Sequence, residues 1–405
     1  YCILKVTAAG KKCLKNPTTF KITEDNDFEE VEEETPMRGG GSCAVDPALY
    51  SMLKDLRKKL SKQLEVPPYV IFQDPSLEAM ATIYPVTLDE LQNILGWEKF
   101  ARRLADSKFR VYITGSNARM LSSEIATTLG GRYIMKEVYP YNFAEYLDAH
   151  QVVHTKTAQT ATKTRAILQH HFDEYLQYGG FPEGIHLPSK RDYLMSVYQK
   201  IYLGDIAARH RIENAFALRF LFKKLSESIM QPLSFTRLAN LITSTGSKIS
   251  KATVINYMEY AKDSYLIFPI KNIASHIAER EGNPKYYFVD NGIITLLTLN
   301  AEAALLENMV AMELMRRYGQ DNQVFFYNDK VEVDFYIPET GTAIQVSMYP
   351  HESNETWRRE TEALVRMNKQ LPCSTHLLLT MNEENTITID DVTIHLIPVW
   401  KWLLN

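Results

Sequence analysis

The segment 88–100 constrains the fold most, because two structural interpretations compete for it. Read forward from Pro85, Thr87 and Glu90 form a capping box ahead of an apolar run, which predicts a short helix. Read backward, Asp89 and Glu90 have the composition of a Walker B motif, in which the Asp holds magnesium and the Glu polarises a water. A Walker B motif needs an apolar strand before it, and Pro85 removes a hydrogen-bond donor from that strand. The pattern therefore favours the helix, with the Walker B motif as the alternative.

Length and composition set broad bounds on the chain. Its 405 residues predict two or three domains, and a net charge of −4 means that any nucleic-acid-binding surface must be local. The sequence has no apolar run of membrane-spanning length and opens with no signal peptide, so we expect a cytoplasmic protein without a membrane partner. Cys2, Cys13, Cys43 and Cys373 are scattered, which predicts reduced thiols and no metal site.

The first 45 residues divide into two parts. Residues 1–23 contain two strand-like runs, and because Tyr1 already lies within the first of them, we expect the chain to be a fragment. Residues 24–45 are rich in carboxylates and include three consecutive glycines, 39–41. Like charges repel and glycine adds chain entropy, so this part is expected to be a disordered linker.

Residues 46–95 have a helical pattern. Asp46 can cap a helix, Pro47 suits its first position, and a leucine stripe follows at three- and four-residue steps. The stripe comprises Leu49, Leu53, Leu56, Leu60 and Leu64. Four basic residues lie mostly off it: Arg57, Lys58, Lys59 and Lys62. Further helices are predicted to begin at Asp74 and at Thr87.

This region resembles the HRDC domain of RecQ-type helicases, and residues 4–21 are similar to the tail of the winged-helix domain that precedes it. The resemblance is carried by Leu56-Arg57, Pro67-Pro68-Tyr69-Val70-Ile71-Phe72, Asp74, Leu77, Met80-Ala81, Pro85 and Leu91. It implies a small helical bundle that binds DNA weakly through backbone phosphates, with the four basic residues as the contacts. The alternative is that these charges form only the solvated face of an amphipathic helix.

From residue 88 onward a second set of motifs follows. They are Leu88-Asp89-Glu90-Leu91-Gln92, Trp97-Glu98, Thr114-Gly115-Ser116-Asn117, Gly131-Arg132, Tyr139-Pro140, Phe143-Ala144-Glu145-Tyr146 and Tyr178-Gly179-Gly180-Phe181-Pro182-Glu183. Together they resemble the second half of a prokaryotic AAA-type ATPase family with a restriction-endonuclease-like C-terminal domain. The resemblance implies Walker B roles for Asp89 and Glu90, a γ-phosphate sensor at Asn117, and an Arg132 that reaches a phosphate in trans.

The sequence lacks a Walker A motif, G-x-x-x-x-G-K-[ST]. The glycines at 39–41 have no lysine after them, and Gly246-Ser247-Lys248 lacks the first glycine. Phosphates need convergent backbone N–H groups and that ammonium, so no nucleotide cofactor is expected. ATP and magnesium would bind only if a P-loop were supplied elsewhere. The strands before 111–114 are also missing, so residues 97–140 are expected to be poorly packed or rebuilt.

Residues 231–299 have the element order of a winged helix. Helices are predicted at 234–244 and 250–263, and strands at 266–271 and 285–290. Lys248, Lys251 and Asn256 lie near the start of the second helix, where a recognition helix meets DNA. Because Glu259 and Asp263 leave that helix nearly neutral, a winged helix that serves only as a protein scaffold is the alternative.

Residues 300–405 resemble the restriction-endonuclease-like domain of the same family through Leu306-Glu307-Asn308-Met309-Val310, Glu332-Val333-Asp334-Phe335 and Ala343-Ile344-Gln345-Val346-Ser347. A cleaving site of this class needs two or three carboxylates around magnesium and a lysine. Glu307 and Asp334 could bind the metal, but Gln345 and Ser347 replace the acid and the lysine. We therefore predict an inactive domain in which Glu307, Asp334 and Gln345 form a buried polar network.

The predicted fold is multi-domain α+β. Its parts are a winged-helix tail (1–23), a linker (24–45), a small helical HRDC bundle (46–95), a truncated AAA-type α/β remnant (96–148), a helical lid (149–230), a winged helix (231–299) and a restriction-endonuclease-like α/β domain (300–405). We expect weak DNA binding and neither ATPase nor nuclease activity by the chain alone. The alternatives are the tail of a RecQ-like helicase, whose core precedes Tyr1, and an ATPase completed by a partner protein's P-loop.

Overall fold

The structure is a computed structural model that describes residues 47–63 and 136–405, except 276–282, 300 and 320–322, together with the single positions 74, 77, 102, 106, 115 and 134. The predicted tail and linker, the helix at Thr87 and almost all of the AAA-type remnant before residue 136 lie outside these residues. All described residues belong to the unit Asp46–Asn405.

The N-terminal part of the described chain is helical. Its helices are α1 (Pro47–Gln63), α2 (Phe143–Ala149), α3 (Lys156–Thr160), α4 (Thr162–Tyr178), α5 (Lys190–Gln199) with a π-helical continuation Lys200–Ala208, α6 (Ala215–Glu227), α7 (Phe235–Ser244) and α8 (Lys251–Asp263). Side-chain caps fix several of these starts. Asn142 and Glu145 form a capping box at α2, and Ser250 accepts a hydrogen bond from Thr253 N at α8.

The C-terminal part is a mixed sheet covered by helices. The strands are β1 (Ile267–Asn272), β2 (Lys285–Phe288), β3 (Phe325–Asn328), β4 (Glu332–Ile337), β5 (Thr342–Ser347), β6 (Thr375–Thr380), β7 (Asn385–Ile389) and β8 (Val392–Pro398). The helices are α9 (Asn291–Leu297), α10 (Glu302–Tyr318), α11 (Asn354–Met367) and α12 (Val399–Leu403).

The eight strands lie in the order β2-β1-β3-β4-β5-β6-β8-β7. Neighbours from β3 to β5 are antiparallel, whereas β5, β6 and β8 run parallel to one another. The hairpin β1–β2 joins the sheet through a short parallel pairing of β1 with β3. Strands from the segment predicted as a winged helix and from the segment predicted as a nuclease domain therefore share one sheet.

Helices pack on both faces of this sheet. Ile344 and Val346 of β5 belong to a large core that includes Leu306 of α10 and continues into the helical part. Ala343, whose side chain points to the other face, belongs to a smaller core with Leu364 of α11. The period-two alternation of β5 thus places α10 and α11 on opposite sides of the sheet.

The Tyr178-Gly179-Gly180 motif joins the helical part to the sheet. Gly180 N donates to Asp290 Oδ2 at 2.8 Å, and a Cβ on Gly179 would lie 1.8 Å from Asp290 Oδ1. Gly179 also has a φ of 73°, so this close approach requires glycine. Burial raises the pKa of Asp290 to about 7, although hydrogen bonds from Gly180 N and Gly292 N act to lower it.

Two local predictions compare directly with these elements. The helices and strands expected in 231–299 are present with similar bounds. The segment 150–165, at the start of the predicted helical lid, contains α3 and the start of α4, with Thr155 capping α3. Among the described helices, none is both long and apolar enough to cross a membrane.

Candidate functional site

A buried lysine surrounded by carboxylates lies between β2, β4 and α10. The Lys285 ammonium, at the start of β2, is 2.9 Å from Glu332 Oε1, 3.5 Å from Asp334 Oδ1 and 3.7 Å from Glu307 Oε1. The side chains of Lys285 and Glu307 are 0% and 1% exposed, whereas that of Glu332 is 44% exposed. We call these four residues the Lys285 cluster, and among them Glu332 alone opens the cluster to solvent.

Strand and helix geometry explains how these side chains meet. Glu332 and Asp334 are two residues apart on β4 and share one face of the strand. Glu307 lies in the middle of α10, within a run of buried residues, and its Oε1 accepts a hydrogen bond from the Tyr287 hydroxyl at 2.7 Å. Tyr287 follows Lys285 by two positions on β2, so that strand contributes both a charge and a hydroxyl to the cluster.

The neutral amide of Gln345 extends the network toward α11. Its Oε1 accepts from Asp334 N at 3.3 Å, and its Nε2 donates to Glu360 Oε2 at 2.5 Å. Val346 N donates to Asp334 Oδ2 at 2.9 Å, and exposed Arg359 holds the other oxygen of Glu360. The structure thus brings Glu307, Asp334 and Gln345 into one buried polar network.

Burial and charge act against each other on the ionisable groups of the cluster. Burial would lower the pKa of Lys285, but Glu307, Asp334 and Glu332 outweigh burial and raise it. Burial raises the pKa of Asp334 well above its usual range and also raises that of Glu307, and Lys285 counteracts both shifts. The ammonium is therefore charged at neutral pH and compensates part of the buried negative charge.

The predicted nuclease residue Ser347 lies at the carboxyl end of β5 and is half-buried. The cation of the cluster comes instead from Lys285, which the sequence interpretation did not identify. One sequence signal marks this residue: a lysine opens the otherwise aromatic strand Lys285-Tyr286-Tyr287-Phe288, which is buried throughout. A charged residue in such a strand needs a partner of opposite charge.

The predicted nucleic-acid contacts occupy two helices. Lys58, Lys59 and Lys62 are exposed on α1, whereas Arg57 pairs with Asp74 at 2.7 Å and its side chain is 14% exposed. Leu56 of the predicted apolar stripe is 52% exposed, and among the α1 side chains whose burial the structure describes, that of Ser61 is buried. On the second helix, Lys251 and Asn256 are exposed on α8, and Lys248 is exposed just before it.

The predicted ATPase residues Asp89, Glu90, Asn117 and Arg132 lie outside the described residues. Their roles remain those that the resemblance implies. Likewise, the choice between a capping box and a Walker B motif at 88–94 stays a prediction.

One of the matches to known families and proteins supports an AAA-type part in this chain. A family model described as an AAA domain matches residues 44–147, and one described as a domain of unknown function, DUF8612, matches residues 169–304. The AAA match begins ahead of α1, so it includes the segment predicted as an HRDC domain. An AAA-type component is therefore part of this chain, while the HRDC and winged-helix assignments stay predictions.

Two curated relatives define the family. The chain is 35% identical over 329 residues to Uncharacterized protein MJ1544 of Methanocaldococcus jannaschii. This alignment covers 78% of this chain and 74% of the relative. The chain is also 30% identical over 281 residues to an uncharacterized protein of Haemophilus influenzae. That alignment covers 66% of this chain and 67% of the relative. The chain belongs to the family of these two proteins. No solved structure matches it significantly.

Proposed function

We propose that this chain is a DNA-associated member of an AAA-type ATPase family, and that its nuclease-like C-terminal domain does not cut DNA. The observation that carries the proposal is the Lys285 ammonium, which lies 3.7 Å from Glu307 and 3.5 Å from Asp334. A catalytic magnesium ion would need these same two carboxylates. In this chain their charge is already compensated by a lysine, so a metal would have to displace a buried cation.

Gln345 supports the same conclusion. In a metal-dependent site its position would supply a third, negatively charged ligand. Here its amide oxygen accepts from Asp334 N and its amide nitrogen donates to Glu360, so both ends are used within the protein. A neutral amide also leaves magnesium with one negative charge less, which weakens binding of a hard cation.

The test is cleavage of supercoiled plasmid by the full chain with Mg²⁺ or Mn²⁺. We expect the wild-type chain to nick the plasmid no more than the Asp334→Asn variant does. That variant lacks one of the two carboxylates that could bind a metal. Metal-dependent nicking by the wild type that Asp334→Asn abolishes would overturn the proposal. It would instead support a second candidate function, a nuclease in which Lys285 supplies the cation that Ser347 does not.

The association with DNA rests on exposed basic residues. Lys248 and Lys251 are exposed at the start of α8, where side chains and the helix N-terminus can both meet a phosphate. Asn256 lies farther along the same helix and is also exposed. Because the whole chain carries a net charge of −4, such contacts would be local, weak and strongly dependent on salt.

The DNA proposal is tested by fluorescence anisotropy with a labelled duplex over a range of salt concentrations. We expect Lys248→Glu/Lys251→Glu to weaken binding and to reduce the salt slope by about 0.9 for each DNA phosphate that the variant no longer neutralises. The matched control is Lys330→Glu/Lys369→Glu, which changes net charge equally at two exposed lysines elsewhere. Equal weakening by both pairs would show that only net charge matters and would contradict a site at α8.

A finer part of the proposal is the HRDC-like arm. The exposed lysines of α1, Lys58, Lys59 and Lys62, would contact backbone phosphates, whereas Arg57 holds Asp74 and would not. Charge reversal at Lys58 and Lys62 is expected to weaken DNA binding further than the control pair does. No effect would favour a solvated helix face.

The chain alone is proposed to bind no nucleotide tightly, because its sequence contains no Walker A motif. ATP and magnesium would bind only through a P-loop from an upstream helicase core or a partner protein. Isothermal calorimetry with ATP and Mg²⁺ tests this. Micromolar binding by the chain alone would contradict it.

A further inference from the structure

A second cluster, remote from the Lys285 cluster in sequence, contains histidines and a glutamate. His150 directly follows α2, whereas His171 and Glu174 lie one helical turn apart on α4 and so share a face. One potential ligand atom from each lies within 4.8 Å of the other two. Among the described residues, this is the one group of three or more His, Cys, Asp or Glu side chains that are close enough to hold a metal ion.

The imidazoles of this cluster have nitrogen atoms without partners. His150 Nε2 and His171 Nδ1 are buried, and neither makes a hydrogen bond within the described residues. Buried polar atoms are normally satisfied, so two such nitrogens on adjacent rings point to a missing ligand.

Glu174 supplies a negative charge that is already oriented. Its Oε2 accepts from the Tyr146 hydroxyl at 2.8 Å, and its Oε1 accepts from the Lys190 ammonium at 2.6 Å. A carboxylate has about four lone-pair sites, so two remain for an ion. Hydrogen bonds of this kind hold metal-binding carboxylates in place in many metalloproteins.

His186 is positioned as a further ligand. Its ring centroid lies 4.8 Å from that of His150, and its side chain is exposed. Because exposed side chains change rotamer readily, His186 could complete a four-coordinate site or leave that position to water.

We propose that His150, His171 and Glu174 bind a first-row divalent transition metal, with zinc the best-fitting ion. Two imidazoles and one carboxylate are a ligand set that zinc uses, and hard cations such as magnesium avoid it. Tetrahedral ligands at about 2.0–2.1 Å from zinc lie about 3.4 Å apart. The present spacing of up to 4.8 Å therefore requires only a small side-chain contraction around the ion.

The ion would link α2 to α4, and Lys190 would be its competitor. Without metal, Lys190 is the cation that neutralises Glu174. Its removal should therefore strengthen metal binding, whereas removal of a ligand should weaken it. A cluster of merely stacked aromatic rings predicts neither effect.

The experiment is titration of the metal-stripped full chain with Zn²⁺ in competition with a chromophoric chelator, and with Co²⁺ followed by its visible absorption. We expect one ion per chain, and affinity reduced at least about tenfold by His171→Ala or Glu174→Gln. His170→Ala is the matched control, because His170 is the preceding residue on α4 and lies outside the group of three. Lys190→Met, which keeps the aliphatic stem, is expected to tighten binding.

Circular dichroism and thermal unfolding of each stripped variant separate loss of metal from loss of fold. The proposal is overturned if the folded wild type takes up no stoichiometric Zn²⁺ or Co²⁺. It is equally overturned if His170→Ala weakens binding as much as His171→Ala does, or if Lys190→Met weakens it.

Discussion

Replacing Lys285 with methionine removes the buried cation while keeping most of the side-chain volume. The change leaves the carboxylates of Glu307 and Asp334 buried without their compensating charge. Two like charges in such a site cannot both remain ionised without a large cost. The Lys285→Met variant is therefore expected to be much less stable than the wild type at neutral and alkaline pH.

The distances give the size of the effect. At an effective dielectric constant of about 20, unit charges 3.5 Å apart, the separation of Lys285 Nζ and Asp334 Oδ1, interact by about 5 kcal/mol. This is an upper bound, because the raised pKa of Asp334 reduces the fraction of that carboxyl that is ionised. Part of this lost attraction is offset, because burying methionine does not carry the desolvation cost of burying an ammonium. The net decrease in the free energy of unfolding should therefore match the roughly 3–5 kcal/mol measured when one partner of a buried ion pair is removed. Glu332 is 44% exposed and adds little to this figure.

The effect should depend on pH in a defined direction. The pKa of Lys285 is raised in the folded state, so its contribution is fully present below the unfolded value of about 10.4. The pKa values of Glu307 and Asp334 are also raised, so folding takes up protons and stability falls as pH rises above about 4. In Lys285→Met the pKa values of Glu307 and Asp334 should rise further. Protonation of these carboxyls at pH 5 should therefore recover part of the stability that the variant loses at pH 8.

The assay is urea unfolding followed by tryptophan fluorescence, because Trp400 of α12 is fully buried in the large core. The control is Lys262→Met, which breaks a surface ion pair with Glu259 and should cost no more than about 1 kcal/mol. The double variant Lys285→Met/Asp334→Asn should regain part of the loss. A loss below about 1 kcal/mol at pH 8, or an equal loss at pH 5 and pH 8, would refute the reasoning.

Three further changes test separate parts of the fold. Gly179→Ala should lower the unfolding midpoint strongly, because the new Cβ would lie 1.8 Å from Asp290 Oδ1 at a φ of 73°; an unchanged midpoint would contradict this close approach. Ser353→Ala removes the cap that accepts from Thr356 N and should cost about 1 kcal/mol, with Ser353→Gly costing less. Cys373, whose pKa burial raises to about 11, should react with a thiol reagent at pH 8 far more slowly in the folded than in the denatured chain, and equal rates would show an open thiol.

The element order of residues 231–299 could be predicted because its boundaries are marked locally. Ser234 and Ser250 cap the two helices, and Gly246, with a φ of 92°, ends the first. The partner of the resulting hairpin could not be predicted in the same way. The parallel pairing of β1 with β3 joins residues far apart in sequence, and no short-range signal specifies it.

The residues of the two candidate sites also differ in whether local sequence patterns predict them. Motifs on their own elements predict Glu307, Asp334 and Gln345. No such motif predicts Lys285 or the group of His150, His171 and Glu174, because these sites form through contacts between segments distant in sequence. His150 and His171 are also too far apart in sequence for the short ligand spacings by which metal sites are recognised.

The charge balance of the sheet defines which segments must fold together. Glu307 and Asp334 belong to α10 and β4, within the predicted nuclease domain, but the lysine that compensates them belongs to β2, within the predicted winged helix. Buried carboxylates without that ammonium would have to take up protons, because ionised groups are costly in a dry interior. The boundary predicted at residues 299 and 300 therefore separates two halves of one ionic network. The sheet from β1 to β8, together with α10 and α11, is therefore expected to fold as a single unit.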